Sequence, residues 1–183
     1  MTTFVALLRG INVGKAKRLP METLRNLLAG LGYENVRTLL NSGNAVFDAP
    51  GGAASADANA VATAIATAIA EQLSIEVPVV VKSARQLGTL VAENPFTDRA
   101  LDHARLLVAF TRDGRSLAGL RELESLVAPT ELFTVTRHCA YLYCAAGILE
   151  SKAGNALLGA AGKHATTRNW ATTLKLHAMA GGA

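Results

Sequence analysis

Val36-Arg37-Thr38-Leu39-Leu40-Asn41-Ser42-Gly43-Asn44-Ala45-Val46-Phe47 is the stretch on which the fold turns. Two strand-like runs, Val36 to Leu40 and Ala45 to Phe47, flank Asn41-Ser42-Gly43-Asn44, a tetrapeptide rich in turn-forming residues, so a β-hairpin is the expected product. Upstream, Pro20 suits the first turn of a helix, and Met21, Leu24, Leu28 and Leu31 mark one face at helical spacing until Gly32 stops it. Before that helix, Thr3 to Leu8 reads as a buried strand that ends at Arg9-Gly10. Downstream, Ala49 to Ala56 is a Pro/Gly/Ala connector expected to be flexible, and Asp57 is a helix N-cap. Val61, Ile65, Ile69 and Leu73 then form a narrow apolar stripe on an alanine helix, and Val77 to Val81 is a strand. The order is βαββαβ, the ferredoxin-like arrangement, in which two helices cover one face of a four-stranded antiparallel sheet.

The remaining sequence partly repeats this order. Ser83 with Gln86 makes a capping box for a linking helix ending at Asn94-Pro95. Leu106 to Phe110 reads as a strand and Leu117 to Val127 as a helix; Glu131 to Thr136 and Cys139 to Ala145 read as a second hairpin. A further helix is expected over about Glu150 to Ala161. Where a last strand is due, only the polar His164-Ala165-Thr166-Thr167 stands before a terminal helix. The fold class is therefore α+β: one ferredoxin-like subdomain over 1–82, and over 83–183 a linking helix, a second such subdomain with an altered last strand, and a C-terminal helix.

Of 183 residues 34 are alanine and 17% are charged, so the core is lean and carried by Leu, Val and Ile. No apolar run approaches the 18 or more residues that span a bilayer, and no basic segment precedes an apolar one at the amino terminus. A membrane protein is excluded and a cytoplasmic location is expected. Cys139 and Cys144 suit neither a local disulfide nor a zinc clip, and buried reduced thiols are expected. The net charge of +4 is unevenly spread: residues 1–50 carry six basic and three acidic groups, 51–150 eight and eleven, and 151–183 four and none. Two basic ends without local counter-charge point to an anionic partner.

Three polar clusters are candidates for chemistry. The first is Arg9-Gly10-Ile11-Asn12-Val13-Gly14 with Lys15, Lys17 and Arg18, where a glycine-containing strand-to-helix loop brings backbone N–H groups toward a phosphate. It lacks both the P-loop pattern and the dinucleotide fingerprint. The second is Thr38 with Asn41, Ser42, Gly43 and Asn44, where a turn alone accounts for the residues and Ser42 has no nucleophile elbow around it. The third is the tail from Thr166 to Leu176. There Thr166 or Thr167 is expected to cap a helix with Arg168 and Asn169 in its first turn, and Arg168, Thr172 and Lys175 share one face. Trp170 is read as a core anchor or as an aromatic platform for a base.

Leu7-Leu8-Arg9-Gly10-Ile11-Asn12-Val13-Gly14, Met21 and Leu24, Thr38 with Ser42-Gly43-Asn44, Asn94-Pro95-Phe96, Ser151-Lys152, and Arg168-Asn169-Trp170 with Thr172 and Lys175-Leu176 resemble the domain of unknown function 1697 family. The resemblance implies a pair of ferredoxin-like subdomains and supplies motif positions but no reaction. Lys15 after Gly14, Asn41 and Ala171 depart from the pattern, the last removing a polar group beside the tail motif.

The sequence supports three functional readings. The first is a protein that binds a phosphate-bearing or nucleotide-like small molecule between its subdomains. Arg9, Gly10, Asn12, Lys15, Ser42 and Asn44 are its candidate residues in the first half. Lys152, Arg168, Asn169, Trp170, Thr172 and Lys175 are those in the second. The second reading is a nucleic-acid-binding module with Tyr141 and Tyr143 as the stacking platform; it is disfavoured by 5% aromatic content. The third is a non-catalytic interaction or dimerisation protein. No catalytic residues are assigned, and no cofactor or metal is expected, because no ligand spacing, carboxylate pair or Ser/His/Asp set is evident. The loop after the first strand and the hairpin turn are expected at opposite ends of the sheet, so the Arg9 loop is paired with the Arg168 segment and the Ser42 turn is left structural or on a second surface.

Overall fold

The Thr3–Leu8 run forms strand β1 (Thr2–Leu8), and the hairpin stretch forms β2 (Glu34–Leu39) and β3 (Asn44–Ala49). The computed structural model describes residues 1–14, 17–50 and 57–182, so Lys15 and most of the Ala49–Ala56 connector lie outside the described residues. Helix α1 (Met21–Gly30) follows Pro20, which sits at its N-cap, and helix α2 (Ala58–Leu73) starts where the Asp57 carboxylate accepts from the Asn59 N–H at 2.9 Å. Strand β4 (Val79–Ser83) completes a sheet of order β2-β3-β1-β4 with every pair antiparallel. This is the ferredoxin-like topology. Phe4, Ala6 and Leu8 of β1 meet Leu24 and Leu28 of α1 and Val61, Ile65 and Ile69 of α2 in one core. Ala62 and Ala68 are buried in it as well, so part of the alanine excess lies inside the packed helix face.

The second sheet repeats the plan. Helix α3 (Ala84–Ala92) carries the expected capping box: the Ser83 N–H donates to Gln86 Oε1 at 2.9 Å, and the Gln86 N–H to Ser83 Oγ at 3.2 Å. Strands β5 (Leu106–Thr111), β6 (Leu132–Val135), β7 (Ala140–Tyr143) and β8 (Ala165–Asn169) take the order β6-β7-β5-β8, again antiparallel. The helix expected over Leu117 to Val127 divides into α4 (Gly114–Gly119) and a 3-10 segment, Leu120–Leu126. Leu117, Leu120 and Leu123 stay on one side at the i, i+3 spacing that a 3-10 turn serves well. Helix α5 (Lys152–Leu158) starts at a Ser151 cap and is shorter than expected. The altered last strand is a strand in fact. Its alteration lies in composition, since Thr166-Thr167-Arg168-Asn169 is polar because β8 is an edge, hydrogen-bonded on one side to β5. Helix α6 (Trp170–Met179) follows at once.

The chain divides into two compact units, Met1–Leu87 with Leu176–Ala183, and Gly88–Lys175. Both cysteines are buried, and neither is in a disulfide. No described helix is long and apolar enough to cross a membrane.

One geometric expectation is overturned. The crossover through α1 makes β2 run parallel to β1, and the hairpin then reverses direction, so β3 is antiparallel to β1 with Leu7 opposite Asn44. The loop leaving β1 and the β2–β3 turn therefore lie at the same end of the sheet.

Candidate functional site

At that end the backbone closes directly. The Leu8 N–H donates to the Gly43 carbonyl at 2.8 Å, and the Arg9 N–H to the Pro78 carbonyl at 2.9 Å, so the first loop, the hairpin turn and the start of β4 meet. Gly43 sits at φ +80, and a Cβ there would lie 2.7 Å from both Leu8 Cβ and Ile11 Cδ1. Only glycine fits this turn beside β1. Asn44 is fully buried and locks the turn from below, donating to the Leu39 carbonyl at 2.8 Å and to Ser42 Oγ at 3.0 Å. Ser42 is exposed and serves as that acceptor.

Asn12 joins the two segments. In the left-handed region at φ +55, it donates through Nδ2 to the Leu19 carbonyl at 2.8 Å and to the Asn41 carbonyl at 2.7 Å, and its Oδ1 accepts from the Leu19 N–H at 2.9 Å. Both donors of the amide are thus spent on holding the loop, which makes Asn12 a brace. Lys17 reaches the other neighbour, donating to the Glu76 carbonyl at 2.8 Å. Arg9 is partly buried, and desolvation lowers its pKa from the ordinary guanidinium value. Gly10 is exposed at φ +67.

An open cavity of about 440 Å³ lies here, lined by Asn12, Gly14, Arg18, Pro20, Met21 and Asn41. Its described lining carries one cation and no carboxylate. Helix α1 begins at this wall, and no side chain caps its first turn. The N–H groups of that turn supply partial positive charge beside Arg18, offset in part by the exposed Glu22 carboxylate in the same turn. Arg18 and Asn41 belong to the first and second polar clusters of the sequence but not to its candidate ligand residues, and Pro20 and Met21 enter the sequence reading as residues of the helix start. The signal available was a cation two residues before a helix-starting proline, together with a turn asparagine, and it acquires meaning only once the two loops share an end.

The tail cluster is organised differently from the expectation. Arg168 lies on β8 opposite Val108, not in a helical first turn, so it does not oppose a helix dipole and shares no helical face with Thr172 and Lys175. Its guanidinium donates to Thr166 Oγ1 at 3.1 Å and to the Thr167 carbonyl at 2.7 Å, and desolvation pushes its pKa down to about 10. Asn169 is the cap of α6: its Oδ1 accepts from the Thr172 N–H at 2.8 Å, and its carbonyl accepts from the Thr173 hydroxyl at 3.0 Å. Trp170 is 5% exposed and meets Tyr141 edge-on with ring centroids 6.3 Å apart. It is the core anchor. Tyr141 is fully buried and donates its hydroxyl to the Leu90 carbonyl, so the expected pair of stacking tyrosines has lost one member to the interior. Lys152 and Lys175 are exposed. The first cluster and the hairpin turn thus come together in the first unit, while the tail residues Arg168 to Lys175 belong to the second. Among the described residues no group of three or more His, Cys, Asp or Glu is placed to hold a metal ion.

A solved structure, that of a conserved bacterial protein from Streptococcus pneumoniae, superposes with a TM-score of 0.80 at 24% identity, covering 98% of each chain, and shares the fold. Comparison with curated proteins finds no match. A family model matches residues 1–141, a span that contains the whole of the Asn12 brace, the Gly43 turn and the cavity beside α1, and ends before the Ser151-Lys152 and Arg168 motifs. With more than three quarters of its length matched, the chain belongs to the family described as protein of unknown function DUF1697.

Proposed function

We propose that this protein binds a small anionic molecule, phosphate-bearing or nucleotide-like, in the cavity at the end of the first sheet. The observation that carries the reading is the cavity's described lining, in which Arg18 is the charged residue and no carboxylate is found, beside the start of α1, which no side chain caps and whose first turn holds the exposed Glu22. Arg18 supplies the full charge and the free N–H groups of the first turn supply directed donors. Asn12 and Gly43 act indirectly by holding both loops in register. The volume suits a small ligand.

A thermal-shift titration with inorganic phosphate, ADP and a short oligonucleotide, at low and moderate salt, tests this. Ligand at 100 times Kd raises stability by about 2.7 kcal/mol. Arg18→Ala is expected to weaken phosphate and ADP binding roughly tenfold or more, and Lys152→Ala to leave it unchanged. Absence of any anion-dependent shift in the unmodified protein would sink the reading. Oligonucleotide binding that collapses with salt, without ADP binding, would favour a nucleic-acid module instead.

A further inference from the structure

Four strands stand at the edges of the two sheets, β2 and β4 in the first and β6 and β8 in the second. An edge strand offers a row of N–H and C=O groups to any further strand, and proteins blunt such rows with charges, bulges or cover. The β2 edge carries exposed Glu34 and Arg37 and a break in register between them, with Asn35 at φ +51. Strand β4 opens with three buried valines and β8 with two buried residues, so their backbones are inaccessible there. Strand β6 has none of these defences. It is Leu132-Phe133-Thr134-Val135, without charge, proline, glycine or bulge, and all four residues are only half-buried.

The ladder shows which groups of β6 face outward. The Thr136 N–H donates to the Cys139 carbonyl at 2.9 Å, closing the hairpin with β7, and bonding alternates along an antiparallel strand. Leu132, Thr134 and Thr136 therefore direct their backbone groups at β7, while Phe133 and Val135 direct theirs away from the sheet. Among the described residues nothing bonds to the Phe133 or Val135 N–H. The same alternation puts Glu131 and Arg137, which flank the strand, on the face of Phe133 and Val135. Arg137 is exposed and makes no ion pair among the described residues.

We propose that β6 pairs with β6 of a second copy of this chain, antiparallel about a twofold axis at Thr134, so that two four-stranded sheets become one continuous sheet. This register sets Phe133 opposite Val135 of the second copy, a pair that exchanges both N–H···O bonds, and it sets Glu131 opposite Arg137 on each side of the axis. Moving the axis to Phe133 or to Val135 keeps the backbone bonding but places Glu131 against Val135 or Cys139 and leaves the charges unmatched. Charge complementarity thus selects the occupant as well as the register. A strand with an acid three residues before its centre and a base three residues after it is complementary to itself under a twofold operator.

The test is sedimentation velocity of the full chain from about 10 μM to about 1 mM, a range that spans the weak Kd of about 100 μM expected of so small a contact. The unmodified protein is expected to pass from monomer to dimer across it. Arg137→Glu sets like charges opposite each other and is expected to weaken the dimer roughly tenfold with Tm unchanged. Glu131→Arg is expected to weaken it similarly, with a lower Tm because the Glu131 carboxylate accepts from the Ala128 N–H at 2.9 Å. An equimolar mixture of the two variants restores both opposite-charge pairs and is expected to recover the dimer. Thr134→Cys, facing its own copy across the axis, is expected to form an intermolecular disulfide on mild oxidation. A monomer at every concentration overturns the proposal. A dimer insensitive to Arg137→Glu, or a Thr134→Cys protein that dimerises without crosslinking, places the contact elsewhere and overturns it equally, and a mixture that stays monomeric overturns the register.

Discussion

The Asn12 amide donates to the Asn41 carbonyl at 2.7 Å across 29 residues of sequence, and this single bond ties the loop that leaves β1 to the turn that enters β3. Its counterpart in the backbone is the Leu8 N–H to Gly43 carbonyl bond at 2.8 Å. Together they make one rigid rim from two segments, and the cavity exists because of that rim.

Replacing Asn12 removes three side-chain hydrogen bonds and places a new residue at φ +55. Asn12→Ala is expected to cost about 2–4 kcal/mol, at about 1 kcal/mol per bond plus the left-handed backbone. Asn12→Gly, which is free of the backbone penalty, is expected to fall about 1 kcal/mol short of that loss. Urea denaturation of the two variants checks the order, and equal losses would show that the backbone conformation is not maintained.

Gly43→Ala is expected to be more damaging than its one added methyl suggests. The Cβ would lie 2.7 Å from Leu8 Cβ, an atom anchored on a central strand that has no freedom to swing aside, and φ is +80. A loss of about 3 kcal/mol or more is expected from strain and clash together. The readout is Tm, with Gly14→Ala as the comparison. Gly14 at φ +63 has open space around its Cβ position, so that variant incurs the backbone cost without the clash.

Asp48 gives the first unit an acid-sensitive contact. The Thr3 hydroxyl at 2.6 Å and the Asn35 amide at 2.8 Å donate to its carboxylate, and these bonds, helped by Arg37, hold its pKa below the ordinary aspartate value. A folded-state pKa below the unfolded one means stability that is present above about pH 4 and lost as pH falls through the folded value. Thr3→Val is therefore expected to lower stability at pH 7 and to flatten the fall in urea midpoint below pH 4. Asp113, held low by the Ser116 N–H and hydroxyl, titrates in the same direction in both proteins, so the comparison is one of slopes. Parallel slopes would show that the Thr3 bond does not couple to folding.

Trp170→Ala is expected to cost about 3–5 kcal/mol, the range for emptying a large core site, because the ring is 5% exposed beside Tyr141 and Phe96 surrounds the same tyrosine. Tyr141→Phe is expected to cost about 1–2 kcal/mol by leaving the buried Leu90 carbonyl without its hydroxyl donor. Calorimetric Tm values rank the two. Loss of stability in Trp170→Ala without ligand present distinguishes an anchor from a binding platform.

Periodicity carried most of the fold. The spacing of Val61, Ile65 and Ile69, the Asp57 cap and the Ser83–Gln86 capping box each act over three or four residues, and each is found where the pattern placed it. The tail misled because its signals conflict: Thr166-Thr167 resembles a helix cap, but their backbone pairs with Phe110 and Ala109 of β5, and the cap is Asn169. Backbone hydrogen bonding to a distant strand outweighs a local capping preference, and that strand lies more than fifty residues away.

The sequence alone determined the element order, the twofold repeat of the ferredoxin-like plan and the concentration of cations at the two ends, because these depend on residue type and short-range spacing. Tertiary structure decided which loops share an end of the sheet. That follows from strand direction: β3 is antiparallel to β1, so Leu7 faces Asn44 and Asn12 reaches Asn41. A hydrogen bond across 29 residues has no periodic signature, and so Asn12 read as a ligand residue until the pairing of strands showed it to be the brace that shapes the cavity.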